Sequence, residues 1–392
     1  MTAPALDVLR TLRASTRAAG LPPPAALVGD WWGADAVIAP SISLRPGLAP
    51  PDDPSRFWFG HLGFPVRAMQ SPLPTAVGGL TGDILVLRGG RWSYENVDDA
   101  PCPSWIQQAL DEPTPPPTER TWSAEWVAPQ RDPHLAAIEQ CLAAIRAGEV
   151  YQACVCTQFT GRVTGDPAEF FASLTGSTMP AKAAFLQGHW GTVASFSPET
   201  FLRRTGNIVS SSPIKGTVAA DVAPDELSSS AKDVAENVMI VDLVRNDLGR
   251  VAVTGSVRVP ELLAVVRAPG VWHLVSRVEA ILDPMVGNNE LLRATFPPAS
   301  VTGTPKIRAA ELLAEWEDQP RGVYCGAVGM AGPQRGLDLN VAIRTVALAP
   351  DGTAVLGVGG GITIDSDPAR EWQECLDKAS SIIGHFGPPV SG

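Results

Sequence analysis

No apolar run in the 392 residues approaches the roughly 18 residues of a membrane span, so a membrane-spanning helix is excluded. The opening stretch, Met1-Thr-Ala-Pro-Ala-Leu-Asp7, lacks the basic and apolar regions of a signal peptide, and a cytoplasmic location is expected. Positive charge is scarce: 30 Lys and Arg stand against 41 Asp and Glu, giving a net charge of −11 and a pI near 5.0. That balance argues against nucleic acid or an anionic membrane as the main partner. An anionic substrate would then need local arginines, lysines or a metal. The six cysteines, at 102, 141, 154, 156, 325 and 375, form no C-x-x-C pair, which argues against zinc. Buried reduced thiols are expected instead, with Cys154 and Cys156 on one face of a strand. No Walker A motif is present, and Gly357-Val-Gly-Gly-Gly361 does not complete G-x-G-x-x-G, so a nucleotide fold has little support.

What is present falls into two stretches. Residues 1–120 carry Pro, Gly, Trp and short apolar runs such as Asp83–Arg88, and read as a β-rich lobe. The lobe ends in the connector Asp111-Glu-Pro-Thr-Pro-Pro-Pro-Thr-Glu-Arg120, which suits neither helix nor central strand. In residues 121–392 helical and strand patterns alternate, which implies a mixed α/β domain. His134 to Gly148 has apolar residues at 135, 138, 142 and 145 and a terminal glycine; Tyr151 to Phe159 reads as a strand.

The chemistry-bearing residues lie in this second stretch. Lys215 sits in Ser212-Pro-Ile-Lys-Gly-Thr217, directly after a strand-like run, with Pro213 and Gly216 fixing the backbone around it. A lysine held on a rigid, desolvated element can act as a nucleophile; alone, it is an ordinary loop lysine. Lys232 to Asp247 reads as a long helix with Asp233 and Glu236 on one face, and Arg370 to Lys378 repeats the spacing with Glu371 and Glu374. Two such pairs make either an oxygen-lined Mg²⁺ site or two solvated helix faces. Arg344 interrupts the apolar strand pattern Ile343-Arg-Thr345, where an arginine pairs with a carboxylate of the protein or of a ligand. The glycines at 359, 360 and 361 either admit an anion to the backbone or form a turn. Thr304 and Pro305 are expected as N-cap and first residue of a helix whose start can face an anion.

Taken in order, Gly148-Glu-Val-Tyr-Gln152, Ser197-Pro-Glu199, Glu236 to Asp247, Thr302-Gly-Thr-Pro-Lys306 and Gly359-Gly-Gly-Ile…Asp365-Ser-Asp-Pro…Glu371…Glu374 resemble the chorismate-utilising enzymes over residues 134–385. The resemblance implies a single α+β fold of two stacked antiparallel sheets flanked by helices, with the N-terminal lobe completing it. It implies Mg²⁺ on Glu236 and Glu374, supported by Asp233 and Glu371, taking the ring carboxylate of chorismate. Arg344, Tyr324, Lys378 and the backbone of Gly359, Gly360 and Gly361 would hold the enolpyruvyl side. Glu199 would protonate the departing C4 hydroxyl from a raised pKa. His273 matches the family histidine near the reacting ring, with a satisfied core histidine as the alternative.

Within the family, water-adding members carry a lysine base where this chain has Gln152, which cannot deprotonate water. Lys215 stands where anthranilate synthases typically have alanine and aminodeoxychorismate synthases lysine, and Thr302 fits the same choice. The resemblance therefore implies an aminodeoxychorismate synthase component I, in which Lys215 attacks C2 and ammonia then displaces it from C4, on the route to 4-aminobenzoate and folate. An anthranilate synthase component I is the alternative, and a non-catalytic scaffold subunit a further one. No cysteine sits in a nucleophile-elbow context, so ammonia is expected from a separate glutamine amidotransferase subunit. No L-L-E-S motif is present; Leu27-Val-Gly-Asp30 is the nearest stretch, and feedback inhibition by tryptophan is not expected.

Overall fold

The computed structural model describes residues 4–52, 54–65, 71–333 and 336–384. Its strands form two large sheets, antiparallel throughout in their pairings. The first runs from the short strand Gly303–Thr304 through Gln152–Gly165, Thr353–Ile362, Thr345–Leu348, Gly191–Ser197, Lys182–Gly188, Ala25–Trp31, Ala34–Ala39 and Asp83–Arg88 to Arg91–Asn96. The second runs from Ile214–Ala219 through Val271–Ile281, Ile208–Ser212, Thr200–Thr205, Gly336–Val341, Ala327–Gly332, Phe57–Leu62 and Ala76–Thr81 to Arg45–Pro46. This is the expected pair of stacked sheets with helices around them.

The N-terminal stretch enters both sheets. Ala25–Trp31 pairs with Lys182–Gly188 in the first, and Phe57–Leu62 pairs with Ala327–Gly332 in the second. Outside the first sheet, Val8, Leu9 and Leu12 of helix Ala5–Ala19 and Phe170, Phe171 and Leu174 of helix Pro167–Thr178 cover Phe185 and Phe196. Helices Arg131–Arg146 and Lys306–Trp316 cover Ala153 and Val155. Cys154 and Cys156 point the opposite way, with sulfurs 3.9 Å apart, into a core shared with helix Ala231–Gly249. The alternation follows directly from the two-residue period of a strand. Five of the six thiols are buried and none is oxidised. Among the described residues no helix is long and apolar enough to cross a membrane.

Between the sheets lies a buried polar network that the sequence did not announce. Lys182 Nζ is 2.7 Å from Asp338 Oδ1 and 2.7 Å from the Asp30 carbonyl, and rests 3.9 Å over the Trp31 ring. Arg203 holds the other carboxylate oxygen at 3.1 Å. Trp31 is itself buried and donates to the Ala183 carbonyl. Breaking a buried pair strands a charge, so Lys182→Met is expected to cost about 3 kcal/mol by denaturant titration. The loss falls at the low end of the usual range because Arg203 stays on Asp338.

Candidate active site

Two neighbouring connections between the sheets carry Glu199 and Arg344. Gly191–Ser197 ends the first sheet's strand, Pro198 and Glu199 turn, and Thr200–Thr205 begins in the second. The return passes from Gly336–Val341 through Ala342, Ile343 and Arg344 to Thr345–Leu348. The two crossings are stitched together: Ser197 Oγ donates to the Val341 carbonyl at 2.6 Å, the Val341 N–H to the Glu199 carbonyl at 3.0 Å, and the Phe196 N–H to the Arg344 carbonyl at 2.9 Å. Arg344 thus lies in a connection at φ 49°, not inside a strand as the apolar pattern predicted. Its left-handed backbone breaks the ladder at that residue.

Glu199 is 4% exposed, and burial lifts its carboxyl to about 7, with the Ser300 hydroxyl, the charge of Lys215 and the Ile214 N–H opposing. Half-protonated at neutral pH, it can hold or release a proton where a surface glutamate cannot. Arg344 is largely buried, and among the described residues it has no carboxylate partner; burial alone pulls its pKa down. An unpaired buried guanidinium is costly unless an anion completes it.

Lys215 lies in the strand Ile214–Ala219, its side chain 13% exposed and its ammonium 3.9 Å from Glu236 Oε2. Gly216 beside it has φ +78° and fits against Asp233; a methyl group there would meet Asp233 Cγ at 3.1 Å. Gly361 serves from the other sheet, where a methyl would lie 2.5 Å from Gln152 Nε2 and 3.2 Å from Lys215 Nζ. Glycine at 361 is what lets Lys215 and Gln152 approach the Thr353–Ile362 strand.

His273, opposite Thr217 in the ladder, takes a 2.8 Å hydrogen bond between its Nδ1 and the Thr217 hydroxyl. Burial and then the charge of Arg344 lower its pKa to about 4, so the ring is neutral. Its Nε2 is buried with no hydrogen-bond partner among the described residues. The same holds for Gln152 Oε1, Glu236 Oε1 and Thr304 Oγ1. Thr304 pairs directly across from Gln152, which puts both side chains on one face. Buried polar atoms are normally satisfied, so this concentration of exceptions marks a place built for a ligand.

The remaining expected residues fall into place less uniformly. Thr302 is buried, its hydroxyl donating to the Pro298 carbonyl at 2.8 Å. Tyr324 is buried with its ring packed on Gly357, four residues along the strand from Gly361. Lys378 is committed to Glu374 at 2.7 Å and to the Gly359 carbonyl at 2.8 Å, and Gly360 faces Glu371. Thr304 is not the helix cap: it is drawn into the Gly303–Thr304 strand, and Pro305 takes the cap position of Lys306–Trp316. Lys306 pins that helix start to Asp247 of Ala231–Gly249.

The four carboxylates do not sit equivalently. Glu236 and Glu371 face a common space, with Glu371 Oε1 accepting from Ser366 at 2.7 Å and from Lys232 at 3.0 Å. Glu374 is half-exposed on Lys378, and Asp233 packs beneath Gly216. Among the described residues no three acidic, His or Cys side chains converge closely enough to ligate a metal. Two carboxylates, one with a buried oxygen lacking any donor, nonetheless fit a hard cation such as Mg²⁺, which takes one or two carboxylates and completes its shell with water and substrate oxygens. The sequence reading missed Lys232, Thr217 and Ser300. Thr217 closes the Lys215 motif and Lys232 precedes Asp233, but neither position has a pattern that reveals its partner.

A two-sheet sandwich that encloses an acid, a lysine, an unpaired arginine and facing carboxylates defines an enzyme site for a small anionic substrate. The chain belongs to the chorismate binding enzymes, whose family model matches residues 79–384. It is 38% identical over 276 residues to aminodeoxychorismate synthase component 1 of Escherichia coli, covering 68% of this chain and 61% of the relative. It is also 38% identical over 260 residues to anthranilate synthase component 1 of Neisseria meningitidis, covering 64% of this chain and 52% of the relative. Each match thus spans less than two thirds of the relative. Anthranilate synthase component I from Streptococcus pneumoniae superposes with a TM-score of 0.72 at 27% identity, covering 86% of this chain and 82% of that one.

Proposed function

We propose that the protein aminates chorismate at C4, acting as an aminodeoxychorismate synthase component I in the formation of 4-aminobenzoate for folate. The observation that carries this is that Lys215 lies against Gly361 beside Gln152 and within reach of the buried Glu199, on which its charge acts. Lys215, once its ammonium has given up a proton, attacks C2 of the ring while Glu199 gives its proton to the departing C4 hydroxyl, so that water leaves. Ammonia then attacks C4, the C2–N bond breaks, and the lysine returns to its free form. Two successive displacements across the diene put nitrogen at C4 rather than C2.

Arg344, without a protein carboxylate, is the group to hold the enolpyruvyl carboxylate, with Tyr324 and the backbone of Gly359 to Gly361 alongside. Neutral His273 presents Nε2 to the ring region. Gln152 offers an amide where water activation requires a base, which disfavours hydration of the substrate. Glu236, with Glu371 and Glu374, is the set to hold Mg²⁺, and Asp233 supports it. Bound there, the ion would neutralise the ring carboxylate. Ammonia would come from a separate glutamine amidotransferase subunit, in keeping with the name "component 1" carried by the relatives. With Trp31 and Lys182 filling the space beside Leu27–Asp30, tryptophan inhibition is not part of this reading.

The test is direct: the pure chain with chorismate, Mg²⁺ and ammonium, and the product identified by chromatography and mass. Formation of 4-amino-4-deoxychorismate is the expected result. Anthranilate would instead assign the chain to the second reading, which the Neisseria and Streptococcus relatives favour. No turnover at all would favour a non-catalytic subunit.

A further inference from the structure

We propose that Lys232 is a built-in stand-in cation, holding Glu236 and Glu371 together while no divalent ion is bound and leaving when one arrives. The inference rests on the reading of these carboxylates as metal ligands.

Lys232 is the second residue of helix Ala231–Gly249, where the free N–H groups carry partial positive charge and the Ser230 hydroxyl caps Asp233. A lysine in a first turn opposes the helix dipole, so helix formation does not account for it. Its contacts do. The ammonium is 3.0 Å from Glu371 Oε1 and 3.9 Å from Glu236 Oε1, bridging its own helix to the helix Pro368–Ile383. The other cations nearby are placed differently: Lys215 faces the second oxygen of Glu236 at 3.9 Å, and Lys378 is taken by Glu374 and the Gly359 carbonyl. Among the described residues, Lys232 is therefore the cation common to Glu236 and Glu371.

The two partners differ in exposure from the lysine. The side chains of Glu236 and Glu371 are 10% and 4% exposed, whereas that of Lys232 is 45% exposed. The ammonium can swing into water without moving either carboxylate. A divalent ion placed between the same oxygens brings twice the charge and repels the ammonium at close range, so the two do not share the position. The lysine spares the site the repulsion of two facing carboxylates, and the ion must displace it to bind.

The test is a calorimetric titration of Mg²⁺ into the full chain without chorismate, for the wild type, Lys232→Met and Lys232→Gln. Removing the competitor is expected to tighten Mg²⁺ binding by about tenfold. Without metal the variants should melt below the wild type, and in saturating Mg²⁺ the difference should close. Equal or weaker Mg²⁺ affinity in both variants overturns the stand-in role while leaving the metal reading intact. Absence of Mg²⁺ binding in all three proteins at millimolar concentration removes both.

Discussion

Lys215→Ala is expected to lower the formation of 4-amino-4-deoxychorismate by roughly 10³-fold or more, since the covalent route is lost with its nucleophile. The loss should come with a change of regiochemistry. With C2 no longer taken by the lysine, ammonia can attack there directly as water leaves C4, and the residual product should shift toward the C2-aminated isomer, which becomes anthranilate on loss of its side chain as pyruvate. Chromatography of single reactions at saturating ammonium distinguishes the outcomes. Unchanged C4 amination in this variant would sink the covalent role. The side chain is 13% exposed, Gly361 makes room for it from the facing strand, and Gly216 beside it accommodates Asp233. The substitution leaves those glycines untouched, so a folded variant is expected.

The second large effect concerns Glu199, where activity and stability should move in opposite directions. Glu199→Gln removes the proton donor and should cost roughly 10²–10⁴-fold in turnover. The same substitution should stabilise the fold above pH 7. In the unfolded chain the carboxyl titrates near 4.5, and in the folded one near 7. The folded state therefore binds the extra proton between those values, and stability falls as pH rises from 4.5 to 7. Above pH 7 the full cost of a buried carboxylate is present, about 3 kcal/mol by linkage. A neutral glutamine carries none of it, so its advantage in urea unfolding should be much larger at pH 8 than at pH 5. In the wild type, turnover should decline as pH passes upward through about 7, as the acid form disappears.

Local patterns foretold the elements of this fold better than its connections. The helix of Asp233 and Glu236 and the paired face of Cys154 and Cys156 follow from side-chain period, which one segment can display by itself. The glycines at 359, 360 and 361, read as an anion contact or a turn, lie instead inside the strand Thr353–Ile362, because pairing along Gln152–Gly165 holds a run that has no side-chain period of its own. Arg344 was read as part of a strand because its neighbours are apolar, yet those neighbours are apolar because the chain is passing through the core between sheets. Thr304 has the residue type of a helix cap, but pairing with Gln152 claims its backbone first. For the site, residue types and order singled out Glu199, Lys215 and the carboxylates as candidates. The bond between Thr217 and His273, the isolation of Arg344 and the bridge made by Lys232 depend on how distant segments meet, and no spacing records that.

The interleaving of the N-terminal strands has a consequence for any attempt to divide this chain. If residues before the proline-rich connector were removed, Lys182–Gly188 and Ala327–Gly332 would each lose a strand partner and become open sheet edges. Ala327–Gly332 is apolar and buried along its whole length and Lys182–Gly188 is buried through its first five residues, the kind of edge that pairs with another molecule when uncovered. A fragment that retains every residue assigned to chemistry should accordingly be recovered as aggregate, and supplying residues 1–120 as a separate chain during refolding should return it to solution.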